Sequence, residues 1–365
     1  MALDFSKLSA LFNKDASPKS ASSGVIGVDV GSSSIKIVQL HENRGVATLD
    51  TYGELQLGPY ENADIGRTTH LRIDKLVEAF VDIIREAAAD ARKVSVAISY
   101  SSSFMPIITL STDNQEKIPA MIPLEARKYI PVPLSDVTID WFPISMHGER
   151  KAMKILLAAI HNDAIERYKS MVRGVDLEIV GTEIEFFSTL RTVVTQIDEV
   201  ISVIDFGASA TKVYVINKGV VGKTHSVLMN GVELTNAIMQ VRAVDFRTAE
   251  EQKRSKGLTI VAEDSALEKA FTQILERGFR EIHTVLKRYE EEEGIAVQKV
   301  ILCGGGAQLR GLVPYTQDML SCPTELANPF AKVAYPAFLE DTLKDAGPSF
   351  TVAVGAALRG FPTNT

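Results

Sequence analysis

Asp29-Val30-Gly31-Ser32-Ser33-Ser34-Ile35-Lys36 returns half a chain later as Asp205-Phe206-Gly207-Ala208-Ser209-Ala210-Thr211-Lys212. Aspartate, glycine, serine and lysine keep the same relative places in both copies. Apolar runs at 25–28 and 201–204 precede the copies, and 37–38 and 213–216 follow them. The pattern predicts strand, tight turn, strand: a hairpin with an aspartate entering its tip and small residues at the bend. A single D-x-G-[SA]-S reads as ordinary turn composition. Two copies with matching strands and matching lysines predict two similar halves facing each other, because internal similarity constrains the whole architecture.

The residue types suit a ligand. Gly31 and Gly207 admit backbone paths that a side chain would obstruct. Ser32, Ser33 and Ser34 place small hydroxyls beside exposed backbone N–H groups, and such a concavity suits phosphate oxygens. Gly207, Ala208, Ser209 and Thr211 are the candidate contacts of the second copy, with Lys36 the basic candidate of the first. Asp29 and Asp205 do not suit phosphate directly. They suit a divalent cation, whose hard preference is carboxylate oxygen or water held by carboxylate. Two phosphate hairpins flanking one Mg2+ predict a clamp on a nucleoside polyphosphate.

A glycine cluster supports the clamp. An apolar strand at 299–303 runs into Gly304-Gly305-Gly306 and then a predicted helix. Such a turn brings bare backbone to a ligand, with a helix's positive end nearby. It is neither a Walker A loop nor a dinucleotide fingerprint. Gly222-Lys223-Thr224 has the wrong glycine spacing and follows Asn217-Lys218-Gly219, a predicted hairpin turn, so Lys223 is read as a strand residue.

Phosphate hairpin, phosphate hairpin and strand–GGG–helix, in that order, resemble the actin-like ATPases, which include sugar kinases and heat-shock chaperone ATPases. Within them the chain resembles the PilM family of type IV pilus assembly, itself similar to the cell-division protein FtsA. The residues that carry the likeness lie at 26–36, 125–131, 154–159, 201–207 and 302–306, and it extends from about 25 to 359. It implies an α/β, two-lobed actin-like ATPase fold with an inserted α+β subdomain in the first lobe. It implies ATP and Mg2+ as cofactors, with Gly231 and Lys253 joining the candidate contacts. It implies as partner the cytoplasmic N-terminal peptide of a PilN-like inner-membrane protein, with pilus motor ATPases as possible neighbours. The place would be cytoplasmic, peripheral at the inner membrane through partners. Ile118-Pro119-Ala120-Met121-Ile122-Pro123 departs from the uninterrupted helix the family implies there.

The remaining composition agrees. The length of 365 residues predicts about two domains, and 45% hydrophobic content argues against disorder. A net charge of −7 gives no reason to expect nucleic acid. Cys303 and Cys322 lack metal-ligand spacing. None of the six histidines pairs at i, i+4, and no G-x-S-x-G elbow occurs. No apolar run approaches a bilayer span, and the first 23 residues lack the apolar core of a signal peptide.

The expected organisation follows. Residues 1–23 read as a flexible tail whose Leu8, Leu11 and Phe12 share one helical face. The first lobe is expected at 24–187 plus 345–365, with its inserted subdomain at about 99–173. The second is expected at 188–344, with a helical adenine-side insertion at about 232–296. Helices are predicted at 71–91, 122–129, 163–172, 183–195, 232–240 and 268–292, with a small-residue helix at 351–358 crossing the 183–195 helix as a hinge. Strands are predicted at 94–98, 105–110, 138–144, 153–160 and 176–180. The acidic run Glu290–Glu293 is read as a solvated helix end. Tyr129, Trp141 and Phe142 read as core of the inserted subdomain or as an aromatic peptide-binding wall.

Two classes of function stand against each other. One is a nucleotide-binding assembly protein with weak or no ATPase activity. The other is an enzyme: an actin-like small-molecule kinase or an active ATPase. Glu185 and Asp205 are the candidate catalytic groups, with Glu183 a further candidate for positioning water, and nothing marks a substrate pocket. An FtsA-like filament former ranks third, because Arg359-Gly360-Phe361-Pro362-Thr363-Asn364-Thr365 cannot form an amphipathic membrane helix.

Overall fold

The computed structural model describes residues 24–112, 114–147, 152–196 and 198–361. The tail read at 1–23 and residues 362–365 lie outside them.

The first hairpin pairs β1 (Gly24–Val30) with β2 (Ser34–Asn43), and β3 (Val46–Gln56) continues the sheet. The β2–β3 turn is Arg44-Gly45, both with positive φ, the backbone a two-residue hairpin requires. Helix α1 (Ile73–Glu86) buries Leu76, Ala79, Phe80 and Ile83 against this sheet. It is shorter than the predicted 71–91: Ala88 turns left-handed just past its end. β4 (Lys93–Ile98) then runs parallel to β1.

A second small sheet follows, with strands β5 (Ser103–Phe104), β6 (Ile107–Leu110), β7 (Val137–His147) and β8 (Ala152–His161). The expected strand at 105–110 is broken at Pro106, which cannot donate to a ladder. Helix α2 (Ile118–Ala126) corrects the expectation of 122–129. Pro119 sits in the first turn, where no donor is needed, so the proline-punctuated stretch is itself the helix. α3 (Asn162–Arg173) packs back on α1. β9 (Glu178–Ile184) completes the first sheet in the order β3-β2-β1-β4-β9. It is longer than the predicted 176–180, so Glu183 lies on a strand and α4 starts only at Glu185 (Glu185–Val193).

The second half repeats this plan. The hairpin β10 (Val200–Phe206) with β11 (Thr211–Asn217) continues into β12 (Val220–Val227) through Lys218-Gly219, both of positive φ. Lys223 is a strand residue, as read. The helices α5 (Gly231–Arg242), α6 (Phe246–Lys256) and α7 (Ser265–Glu293) follow. Asp264 caps α7 by accepting from Ala266 and Leu267 N–H, and Gly294 in the left-handed region ends it. β13 (Lys299–Cys303), α8 (Leu312–Leu320) and β14 (Thr324–Leu326) close the lobe, whose sheet order is β12-β11-β10-β13-β14. Both sheets carry an antiparallel three-strand unit at one side and two parallel strands at the other.

The last helix, α9 (Glu340–Leu358), is eleven residues longer at its start than the sequence suggested, with Pro348 inside it. Its second half lies under the first sheet and across α4. A Cβ on Gly355 would stand 2.0 Å from the Ser188 carbonyl oxygen, and one on Gly27 2.1 Å from that of Ala353. Only glycine permits these approaches. Its first half meets the second lobe: Gly304 N–H donates to Pro348 O at 2.8 Å, and Gln308 Nε2 donates to Asp345 O. The acidic run is not simply solvated. Glu292 pairs with Lys223, and Glu293 with Lys154 of the inserted sheet.

Candidate functional site

Each hairpin tip closes on the same bond. Gly31 N–H donates to Ser34 O at 2.9 Å, and Gly207 N–H to Ala210 O at 3.1 Å. Neither glycine has positive φ. Their requirement is space, since a Cβ would stand 3.1 Å from Ser34 O in the first and 2.7 Å from Ala210 O in the second. The second tip is fastened to α5, whose Gly231 and Val232 N–H groups donate to Gly207 O and Ala208 O. The first is fastened to the loop after β3, through Leu57 N–H to Ser33 O and Thr69 N–H to Ser32 O.

Both tips face one cavity of about 780 Å3 between the lobes. Asp29, Gly31, Ser32, Ser33, Ser34 and Lys36 line it from the first lobe together with Glu185. Asp205, Gly207, Ala208, Ser209, Gly231, Lys253, Gly304, Gly305 and Gly306 line it from the second. The glycine cluster has separate reasons. Gly304 adopts φ +84 with Asp205 Oδ1 where a Cβ would go, and Gly306 lies against the Phe206 ring. Gly305 has open space beside it.

Two proposed residues are not in the wall. Thr211 is fully buried and its hydroxyl donates to Met229 O, so it holds the hairpin to the chain entering α5. Glu183 is buried elsewhere, between Arg191, Arg359 and Ser188 Oγ. Burial alone would raise its carboxyl, but Arg191 and Arg359 outweigh that and hold it below the usual range.

Three carboxylates and two lysines converge at the tips, and the pseudo-symmetry breaks there. Lys36 turns to Ser34 Oγ (2.7 Å) and Glu54 (3.4 Å). Lys212 instead bridges the lobes, 2.8 Å from Glu185 Oε1 and 3.2 Å from Asp205 Oδ2. Burial would lower the Lys212 ammonium, but Asp205 and Glu185 raise it well above its ordinary value. Asp29 is half-buried in the cavity wall. Burial pushes its carboxyl up to about 7, with Lys36 opposing and Glu185 adding. Such a raised carboxylate suits a cation partner. Among the described residues no three His, Cys, Asp or Glu side chains form a direct metal set, so a Mg2+ here would draw further ligands from phosphate and water, its usual habit.

The sequence profile described as "Type IV pilus assembly protein PilM" matches residues 27–361. This chain belongs to the PilM family. A chain in the solved "PilM-PilN type IV pilus biogenesis complex" is 25% identical and superposes with a TM-score of 0.79, over 93% of this chain and 99% of that one. The ethanolamine utilization protein EutJ from Carboxydothermus hydrogenoformans is 15% identical, with a TM-score of 0.54 over 94% and 91%. The EutJ likeness concerns the fold alone. The fold of this PilM-family chain is thus the two-lobed actin-like ATPase fold with an insertion in the first lobe.

Sequence reasoning missed several wall residues of this PilM-family protein. Tyr100 N–H donates to Glu185 Oε1 at 2.7 Å, and its hydroxyl reaches Thr224 across the cleft. Glu250 lines the cavity and binds Lys253, Arg254 and Thr235 Oγ1. The four-residue spacing from Glu250 to Arg254 was visible, but the contact with Thr235 joins two helices and leaves no local pattern. The Lys253 ammonium also donates to Gly231 O and Thr235 Oγ1. Phe142 packs on Phe187 and is core, whereas Tyr129 is 46% exposed and Trp141 half-buried.

Proposed function

We propose that this protein binds ATP with Mg2+ in the cleft and, according to its nucleotide state, holds the cytoplasmic N-terminal segment of a PilN-like inner-membrane protein. The observation that carries the first half is the convergence of both hairpin tips and the triple glycine, from opposite lobes, on one cavity holding Asp29, Glu185 and Asp205. Backbone N–H groups at the tips and bare glycines suit phosphate. Asp29 and Asp205 would hold Mg2+ through water, and the ion, when bound, offsets polyphosphate charge. Gly231, Lys253 and Gly304–Gly306 would flank the nucleoside. The lobe limits 24–187 plus 345–365 and 188–344 belong to this proposal.

The second half rests on family membership, on the "PilM-PilN" relative and on the position of the insertion. Tyr129 gives it exposed aromatic surface, with Trp141 half-buried against its core, and Lys154–Glu293 ties it to the second lobe. A lobe movement therefore reaches the insertion. Among the described residues no helix is long and apolar enough to cross a membrane, in keeping with a cytoplasmic protein reaching the inner membrane through partners, with pilus motor ATPases as neighbours.

Glu185 is the candidate to orient water, but its Oε1 already accepts from Tyr100 and Lys212. Turnover is expected well below the ~10 s−1 typical of enzymes. The test is calorimetric titration with Mg2+-ATP, followed by fluorescence polarisation of a PilN-type N-terminal peptide with and without nucleotide. Binding is expected to fall in Tyr129→Ala and Trp141→Ala. A parent protein that takes up no nucleotide, or turns over ATP at ~10 s−1 without a partner, refutes the reading.

A further inference from the structure

We propose that residues 57–72, between β3 and α1, form a strap over the mouth of the cleft, and that Arg67 stacked on Phe246 is its latch, setting how fast a nucleoside triphosphate enters and leaves. The idea rests on the nucleotide reading above. The strap is fastened to the first lobe at both ends. Leu57 N–H donates to Ser33 O at 2.9 Å, and Thr69 N–H to Ser32 O at 2.8 Å. Within it, Ala63 N–H donates to Gly58 O, and Tyr60 Oη donates to Asp82 of α1 at 2.6 Å. It is therefore a braced segment.

Its middle reaches the other lobe. The Arg67 guanidinium carbon lies 4.2 Å from the centroid of the Phe246 ring. Gly66, at φ +91, presses its backbone on Glu250, whose carboxyl carbon stands 2.8 Å from where a Cβ would be. Phe246 and Glu250 are both buried in α6, so the strap closes on a fixed surface. Gly66, Thr68, Thr69 and His70 line the cavity, while Arg67 does not. The arginine thus acts on the outer side of the strap, through another residue and not on a ligand. Its side chain is 41% exposed, and a cation–π contact at such a site is modest. A weak latch on a braced strap can open without unfolding either lobe.

The test uses the full chain, with a fluorescent mant-ATP and Mg2+ followed by stopped flow and chased with unlabelled ATP. Arg67→Ala is expected to speed association and dissociation together, by about two- to fivefold, with affinity little changed. Arg67→Lys is expected between it and the parent, and Phe246→Leu is expected to add nothing to Arg67→Ala. Unchanged rates overturn the latch. So does an affinity loss carried by dissociation alone, which would make Arg67 a direct ligand contact. Hydrogen exchange of the nucleotide-free protein decides independently: protection at 64–70 is expected to fall in Arg67→Ala, and undiminished protection overturns the latch. Failure of the parent to bind mant-ATP overturns the nucleotide reading instead, and exchange still judges the strap.

Discussion

The Lys212 ammonium of the second lobe stands 2.8 Å from Glu185 Oε1 of the first. It also lies within 3.2 Å of Asp205 in its own hairpin. One cation therefore satisfies two carboxylates that face each other across the cleft, and all three groups are largely buried.

Removing that cation leaves two enclosed carboxylates uncompensated. Lys212→Met is expected to cost about 3 kcal/mol, the lower range for breaking a buried pair because the cavity admits water. Adding Glu185→Gln is expected to restore part of it. Urea unfolding of the single and double variants measures the coupling. Additive losses would show that the bridge carries no energy of its own.

Asp29 has the opposite character. Among the described residues its carboxylate has no ion pair within 4 Å, and burial disfavours its charge. Asp29→Asn is expected to raise the melting temperature of the ligand-free protein while removing most of the increment from Mg2+-ATP. For the parent that increment is about 2.7 kcal/mol at a hundredfold excess over Kd. Thermal shift with and without Mg2+-ATP reads both effects, and an undiminished increment would place the cation elsewhere. Asp205→Ala is expected to lose the increment as well.

Glu183 gives the pH dependence. Arg191 and Arg359 hold its carboxyl below the ordinary range despite burial. A group depressed in the folded state contributes stability that is complete above the unfolded value, about 4.3. That contribution is lost as pH falls through the folded value. Glu183→Gln is therefore expected to be less stable than the parent at pH 7, by about 3 kcal/mol, with the gap narrowing as pH falls below about 4. A gap that stays constant with pH would mean that charge is not what Glu183 supplies.

Gly355→Ala tests the crossing of α9 and α4. The new Cβ would meet backbone at Ser188, which cannot swing aside. A loss at or above the upper end of the ~1–3 kcal/mol typical of overpacking is expected. Gly305→Ala, with open space beside it, is the matched control and is expected to be tolerated. Equal melting temperatures for the two variants would refute the close approach.

The hairpins and the glycine cluster were legible because their constraints are local: a turn bond within four residues and a repeated spacing. The likeness of the two halves followed from the repeat, whereas the strand order within each sheet is seen only in the structure. Helix limits were less legible where proline misled, as at Pro119 and Pro348, since a proline that stops one helix starts or bends another. Glu183 and Glu185 could not be told apart by sequence. They are two residues apart and would share a face on a continuous strand, but β9 ends at Ile184 and α4 begins at Glu185, so one enters the core and the other the cleft. Arg67 and Phe246 carried no signal at all, because neither belongs to a spacing pattern and they meet only when the lobes do.

At Pro348, α9 joins the two lobes. The proline carbonyl takes the Gly304 N–H of the second lobe, while the rest of the helix downstream is sunk in the first. Any rotation of one lobe against the other about this point is a lever with its fulcrum beside the triple glycine. Ser349, Thr351 and Gly304 on the cavity floor then travel least, and the Lys154–Glu293 contact and the rim travel furthest. A small change at the floor would be magnified at the inserted sheet, the surface proposed above for a partner.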